Sequence, residues 1–124
     1  MGTTHGLAPT ERVRRRREFV HAYSQGARVH ARYMTVFVVS NSGSHPRLGV
    51  AVTRKLGSAV SRNRAKRLVR ELFRRHKNAV ALSDRPGVDV VVVPRREMLD
   101  APFLSLEADY TSAIGRRNHG RSRN

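Results

Sequence analysis

Nine acidic residues and six histidines are the side chains that could move a proton or hold a metal, and their spacing assembles no site for either. No His pair sits at helical i, i+4 spacing beside a carboxylate, and no glycine-rich loop runs into Lys-Ser or Lys-Thr to cradle a phosphate. His21, His30, His45 and His76 are the candidates for proton transfer, and each reads as a surface histidine. There is no cysteine, hence no thiolate nucleophile, no thiolate metal site and no disulfide frame. The chemistry-bearing residues are cations instead. From Arg62 to Lys77 eight residues are Lys or Arg, and Glu71 is the only acid. Like charges at helical spacing repel one another and weaken the helix. A polyanion relieves that repulsion, which makes nucleic acid the first partner to consider. The whole chain carries a net charge of +16, enough to bind polyanions even non-specifically, with an affinity that falls as salt rises.

Two surfaces follow from residue type and spacing. The first is a basic stripe: Arg54 and Lys55 on the approach, then Arg62, Asn63, Arg64, Lys66, Arg67 and Arg70 on a helix. Arginine presents a planar fork that suits phosphate oxygens. A merely solvated helix face mixes charge signs, and this one does not. Asn63 either reads a base edge or 2′-hydroxyl, or supports the start of the helix. The second surface is aromatic. Phe19 and Tyr23 lie one turn apart on one helix face, and Tyr33 and Phe37 share one face of a strand by period 2. Two such pairs facing a common groove make a stacking platform for single-stranded RNA. The competing reading is ordinary core, and for Phe19 alone core is the better reading. Arg12, Arg14, Arg15, Arg16 and Arg17 flank this helix, either as phosphate contacts or as a diffuse positive field.

The elements that must position these residues are readable. Residues 1–9 read as a disordered tail, 10–114 as one domain and 115–124 as a basic disordered tail with Arg116, Arg117, Arg121 and Arg123. Thr10 is the expected N-cap of a first helix over 11–24, with Val13, Phe19, Val20 and Tyr23 apolar and Gly26 as the stop. Residues 33–40 are β-branched and aromatic, a strand. Residues 41–46 carry turn chemistry. Leu48, Val50 and Val52 alternate with Gly49, Ala51 and Thr53, a strand with one large and one small face, and the small face lets a helix approach closely. The basic helix follows, capped by Ser58 or Ser61, with Ala65, Leu68, Val69, Leu72 and Phe73 inward. A turn over 83–87 leads to VDVVVV at 88–93, a strand buried on both faces and ended by Pro94. A last helix is expected over 102–114, with Phe103, Leu106, Tyr110 and Ile114 inward. A further strand near Val29 completes the order α-β-β-(β)-α-β-α. The fold class is α/β, an α+β two-layer sandwich of a central sheet and packed helices, with a βαβ crossover carrying the basic helix. No apolar run approaches the roughly 20 residues of a membrane span, and no signal peptide or myristoylation signal opens the chain. The expectation is a soluble cytoplasmic protein without a membrane partner, and the absence of cysteine fits that compartment.

Residues 47–74, RLGVAVTRKLGSAVSRNRAKRLVRELFR, resemble the core of the bacterial ribonuclease P protein subunit. The matching elements are Leu48-Gly49, Val52-Thr53-Arg54-Lys55, Gly57-Ser58-Ala59-Val60, Arg62-Asn63-Arg64, Lys66-Arg67, Arg70-Glu71 and Phe73-Arg74. The resemblance extends less tightly to Glu18-Phe19, Tyr23 and Gly26, and to Asp89-Val90-Val91-Val92 with Arg95. Thr53-Arg54 stands where Ser-Lys is common and keeps hydroxyl and charge. The resemblance implies three helices around a central sheet and a left-handed crossover, against the right-handed form nearly all βαβ units take.

The resemblance also implies a function: removal of the 5′ leader from precursor tRNA, with an RNA subunit as catalyst. It implies that Arg54, Lys55, Arg62, Asn63, Arg64, Lys66, Arg67 and Arg70 face the catalytic RNA. Phe19, Tyr23, Tyr33, Phe37, Arg12 and Arg14 would form the cleft for the leader. No catalytic protein residue and no stably bound cofactor are expected, magnesium being a requirement of the RNA subunit. One protein per RNA is expected, with a dimer as an alternative when RNA is absent. The competing readings are a ribosomal-protein-like or chaperone-like RNA-binding module, a DNA-compacting basic protein and a protein-only nuclease. Only the density of motif matches separates the first of these from the subunit.

Overall fold

The computed structural model describes residues 7–80 and 87–122. Its principal elements are α1 (Arg16–Gln25), β1 (Ala27–His30), β2 (Met34–Ser40), β3 (Arg47–Val50), α2 (Ala59–Arg75), α3 (Lys77–Val80), β4 (Val88–Pro94) and α4 (Phe103–Ser122). The strands form one sheet in the order β1-β2-β4-β3. β2 is antiparallel to both β1 and β4, while β3 runs parallel to β4, with Arg47 opposite Asp89 and Val50 opposite Val92. The strand–helix–strand path from β3 through α2 to β4 is therefore a parallel βαβ unit, as the pattern predicts.

Period 2 divides the strands between two faces. Met34, Val36, Val38, Leu48, Val88, Val90 and Val92 join the main core with Val69, Leu72 and Phe73 of α2 and Leu106, Tyr110 and Ile114 of α4. Phe37, Val39 and Val91 form a smaller cluster with Ala22 of α1 and the half-buried Phe19 and Val93. The two expected layers are the sheet and the α2/α4 layer, and α1 adds a partial third on the opposite face. α2 forms where its stripe demands: Ala65, Val69, Leu72 and Phe73 are buried, and Leu68 packs at their edge. Ser58 is its cap, the Oγ accepting the Ser61 N–H at 3.2 Å. Just before it, Gly57 turns the chain with φ at +138°, a conformation L side chains rarely adopt.

Three expectations are corrected. Thr10 caps no helix. It lies in a short 3-10 turn, Pro9–Glu11, and α1 starts only at Arg16. Between them the chain is extended: Arg12 bridges Leu48 in parallel and the Val13 N–H donates to the Leu48 carbonyl at 2.9 Å. Val13 is thus buried as an edge partner of β3 rather than as a helical position. The expected tails are shorter than drawn. Leu7 is 6% exposed and belongs to the main core, and α4 runs on as helix to Ser122 rather than ending at Ile114. The turn expected over 83–87 lies outside the described residues except for Gly87, as does the tail over 1–6.

One charged side chain is buried among the described residues. Asp89, 4% exposed, accepts from Arg47 Nε and Nη2 at 2.8 and 2.7 Å and from Asn41 Nδ2 at 2.7 Å. Arg47 Nη2 also donates to Glu18 of α1 at 3.1 Å. Removing one partner of such a pair strands the other charge and costs about 3–5 kcal/mol. Asp89→Ala is expected to cost about that much in urea unfolding. A loss below about 1 kcal/mol would show the network to be dispensable.

Acid should also unfold the chain in a defined window. The hydrogen bond from Lys77 holds the Glu11 carboxyl below its ordinary value against the opposing effect of burial. Burial alone would raise Glu18, but hydrogen bonds from the Arg15 N–H and from Arg47 outweigh it and the net shift is downward. Hydrogen bonds from Arg74 and Arg75 take Glu71 down to about 2. A carboxyl that titrates lower in the folded chain contributes stability above its unfolded value, and loses it as pH falls through the folded one. The melting temperature is expected to be level above about pH 5 and to fall between about pH 4.5 and pH 2. A melting temperature flat to pH 2 would contradict these pairings.

Candidate RNA-binding surface

The site is built where α1, the edge of β3 and the first half of α2 meet. β3 is an edge strand, and the chain at Arg12–Val13 covers only its first part. Beyond Leu48 a hollow of about 530 Å³ opens, floored by Val50, Ala51 and Val52. Phe19, Val20 and Tyr23 of α1 form one wall, Lys66 of α2 faces them, and Arg14 and Arg16 stand at the rim. An adjoining hollow continues past Phe19 and Lys66 to Arg12 and Arg70. The result is one continuous groove with an aromatic wall and a cationic wall.

Gly49 lets this wall stand where it does. A Cβ at that position would come within 2.9 Å of both the Phe19 ring and Val13. The small face of β3 is therefore the seat of Phe19, as the alternation of small and large residues suggests. Phe19 is half-buried, with one side in the core beneath α1 and the other lining the groove. Tyr23 is 39% exposed and rests edge-on against Phe37, with centroids 5.0 Å apart and planes at 67°. Phe37 is itself buried, and the Arg28 guanidinium lies 5.2 Å from its ring centre.

Positive charge converges on the groove, and no acid lines it among the described residues. Burial first, then the neighbouring charges of Arg12 and Arg67, push the Arg70 guanidinium below its ordinary value. Arg12 Nε is buried and has no hydrogen-bond partner among the described residues. Such an unsatisfied donor carries a cost of about 1–3 kcal/mol, which an anion in the groove would remove.

The structure brings together Arg12, Arg14, Phe19, Tyr23, Lys66 and Arg70 of the predicted site residues. Arg54 and Lys55 lie exposed on the 3-10 turn Arg54–Leu56 that leads into α2. Arg62 is half-buried and reaches back to the Gly57 carbonyl at 3.3 Å, so part of its function is to close the turn before the helix. Asn63, Arg64 and Arg67 are exposed on α2.

Two aromatic assignments change. Phe37 does not line the groove but supports Tyr23 from beneath. Tyr33 leaves the groove altogether and packs against the main core on the α2/α4 side. The reason is a tertiary anchor: residue 33 precedes the strand, and the Asp109 carboxylate of α4 accepts the Arg32 and Tyr33 N–H groups at 3.0 and 2.8 Å. That anchor removes Tyr33 from the strand's alternation. Sequence reasoning also misses Val20, 51% exposed, as groove wall. Its signal was available, because Val20 stands three residues before Tyr23 and so shares its side of the helix.

Among the described residues no group of three or more His, Asp or Glu side chains is arranged to hold a metal ion, and no helix is long and apolar enough to cross a membrane. Fold and surface together define a basic α+β nucleic-acid-binding domain. The family model described as Ribonuclease P matches residues 7–118. The ribonuclease P protein component of Syntrophus aciditrophicus is 40% identical over 89 residues, 72% of this chain and 71% of that protein. Among solved structures, the RNase P protein from Thermotoga maritima superposes with a TM-score of 0.73 at 34% identity, covering 86% of this chain and 96% of the other. A Staphylococcus aureus RNase P protein mutant with defective mRNA degradation activity gives 0.75 at 29%, covering 88% and 89%. The chain belongs to the ribonuclease P protein family.

Proposed function

We propose that the groove between α1 and α2 grips the single-stranded 5′ leader of precursor tRNA, while the exposed basic face of α2 docks on the catalytic RNA. As a ribonuclease P protein, the chain is a subunit of an endoribonuclease of tRNA 5′ processing whose catalysis is carried by RNA. The observation that carries the finer reading is the pairing of walls: Phe19 and Tyr23 on one side, Lys66 and Arg70 on the other. Aromatic faces stack on unpaired bases of any sequence, and the cations follow the phosphates. That combination suits a leader whose sequence varies from one precursor to the next.

The rest of the face fits the second contact. Arg54, Lys55, Asn63, Arg64 and Arg67 lie on the exposed side of the α2 approach and of α2 itself. In this reading magnesium serves the RNA subunit, and the protein reduces repulsion between two polyanions, so that productive binding needs less of it. One protein acts per catalytic RNA, in the cytoplasm. A plain structured-RNA-binding module is favoured by no observation that the subunit reading does not share.

The test is cleavage of a leader-bearing precursor tRNA by a bacterial ribonuclease P RNA at low magnesium, with and without this chain. Cleavage at the mature 5′ end is expected only with the chain present. Tight RNA binding without restored cleavage would replace the subunit reading with the binding module. In the same assay Tyr23→Ala should weaken leader-bearing substrate by roughly fivefold or more, from loss of one base stack, and leave binding of mature tRNA nearly unchanged. Equal losses for both would remove the leader from the groove.

A further inference from the structure

On its other flank α2 carries a second hollow that the groove does not use. It measures about 340 Å³ and is lined by Arg64, Arg67, Leu68, Glu71, Arg75 and Phe103, the last from the start of α4. Its centre is a stack. The Arg75 guanidinium lies 5.0 Å from the Phe103 ring centre. Arg75 Nε donates to Glu71 at 2.7 Å, and Arg75 Nη1 stands 3.8 Å from Glu107 of α4. Glu71 is fixed in turn by two hydrogen bonds from Arg74, at 3.1 and 2.7 Å. A long side chain that is normally mobile is thus held as a plane, yet stays 50% exposed. Leu68 supplies an apolar floor, and Arg64 and Arg67 bring two cations to the rim.

We infer that this flank is a second RNA-binding site, in which an unpaired nucleotide of the catalytic RNA stacks on the Arg75–Phe103 platform and sets its phosphates against Arg64 and Arg67. An arginine plane backed by an aromatic ring accepts a base face as an aromatic residue does. The flanking charge is positive, so the occupant is an anion with a flat apolar face, and an unpaired nucleotide meets both demands. The site rests on the reading of α2 as the face toward the catalytic RNA. It adds that α2 is held from both flanks, the leader on one side and an unpaired base of the RNA subunit on the other. Glu71, the one acid of the basic helix, then acts as a positioning residue that holds Arg75 flat.

The test compares Arg75→Lys with Arg75→Ala in binding to a bacterial ribonuclease P RNA, measured across a range of salt and without substrate. Lysine keeps the charge and loses the plane. Arg75→Lys is expected to weaken binding by roughly fivefold or more at every salt concentration while leaving the salt slope unchanged. Arg75→Ala, which loses the plane altogether, is expected to weaken it at least as much, again with the slope set by Arg64 and Arg67. Phe103→Leu, which keeps apolar bulk, should lose about as much as Arg75→Lys, and the double variant should lose little more, because both act through one stack. Should Phe103→Leu fold poorly, the half-exposed Arg75 pair decides alone. Full binding by Arg75→Lys would overturn the platform and leave only a charge. No binding of the RNA by the unaltered chain would overturn the subunit reading itself, and the site with it.

Discussion

The arrangement of the binding surface depends on one buried charge. Asp89 sits at the start of the central strand β4 and collects Arg47 from the neighbouring strand, with Asn41 alongside. Arg47 in turn holds Glu18 of α1. A buried ion pair gains little over well-packed apolar residues, because desolvation consumes most of the attraction. What it fixes is geometry. Arg47 and Asp89 are register partners in the parallel ladder, so a slip of β3 against β4 would separate them. Through Glu18, the residue before Phe19, the same pair ties down the first turn of α1. The ring then falls on the Gly49 face of β3, and Tyr23, one turn on, meets Phe37. The aromatic wall of the groove is positioned by a charge network outside the groove.

α2 stands under the opposite constraint. Its charge opposes its folding, and Glu71 is its single acid. Its inner face compensates: Ala65, Val69, Leu72 and Phe73 are buried in the main core. A helix stabilised by packing rather than by surface pairing can keep its outer cations free for a ligand. The one acid stands near the C-terminal end, where Arg74 and Arg75 share it. Among the described residues the half of α2 that borders the groove pairs with no acid.

This division explains what could be read from the sequence. α2, β2 and β4 were legible because their burial pattern is local: a helical stripe, a β-branched run, an unbroken VDVVV segment. The basic stripe was legible for the same reason, as were Phe19 and Tyr23 at i, i+4. Val13 was misread because its apolar side chain fits a helical count equally well, while its actual partner, Leu48, is 35 positions away in the chain. Tyr33 was misread because Asp109, on α4, holds its backbone. Nothing apolar follows Ile114, so the pattern predicts a shorter α4, yet its helix continues to Ser122. The Arg75–Phe103 stack joins two elements distant in sequence, and no spacing rule connects them. Motif resemblance carried the family, and tertiary contact decided which aromatics meet in the groove.

In the proposed reading the groove selects among nucleic acids by strandedness. In a duplex the base faces are already stacked and cannot reach Phe19 or Tyr23, so such a partner would engage only the cations. An unpaired strand engages both walls at once. The free protein carries a cost in this region: Arg12 Nε is buried without a partner among the described residues, and Arg12 and Arg67 both repel Arg70. A phosphate entering there satisfies the donor and relieves the repulsion together, so cations that weaken the isolated chain strengthen the complex. The aromatic wall adds affinity that salt screens little, since stacking is not a charge interaction. On that proposal, binding of a leader is expected to persist at salt concentrations that release duplex RNA, because what decides it is what the ligand's bases are free to do.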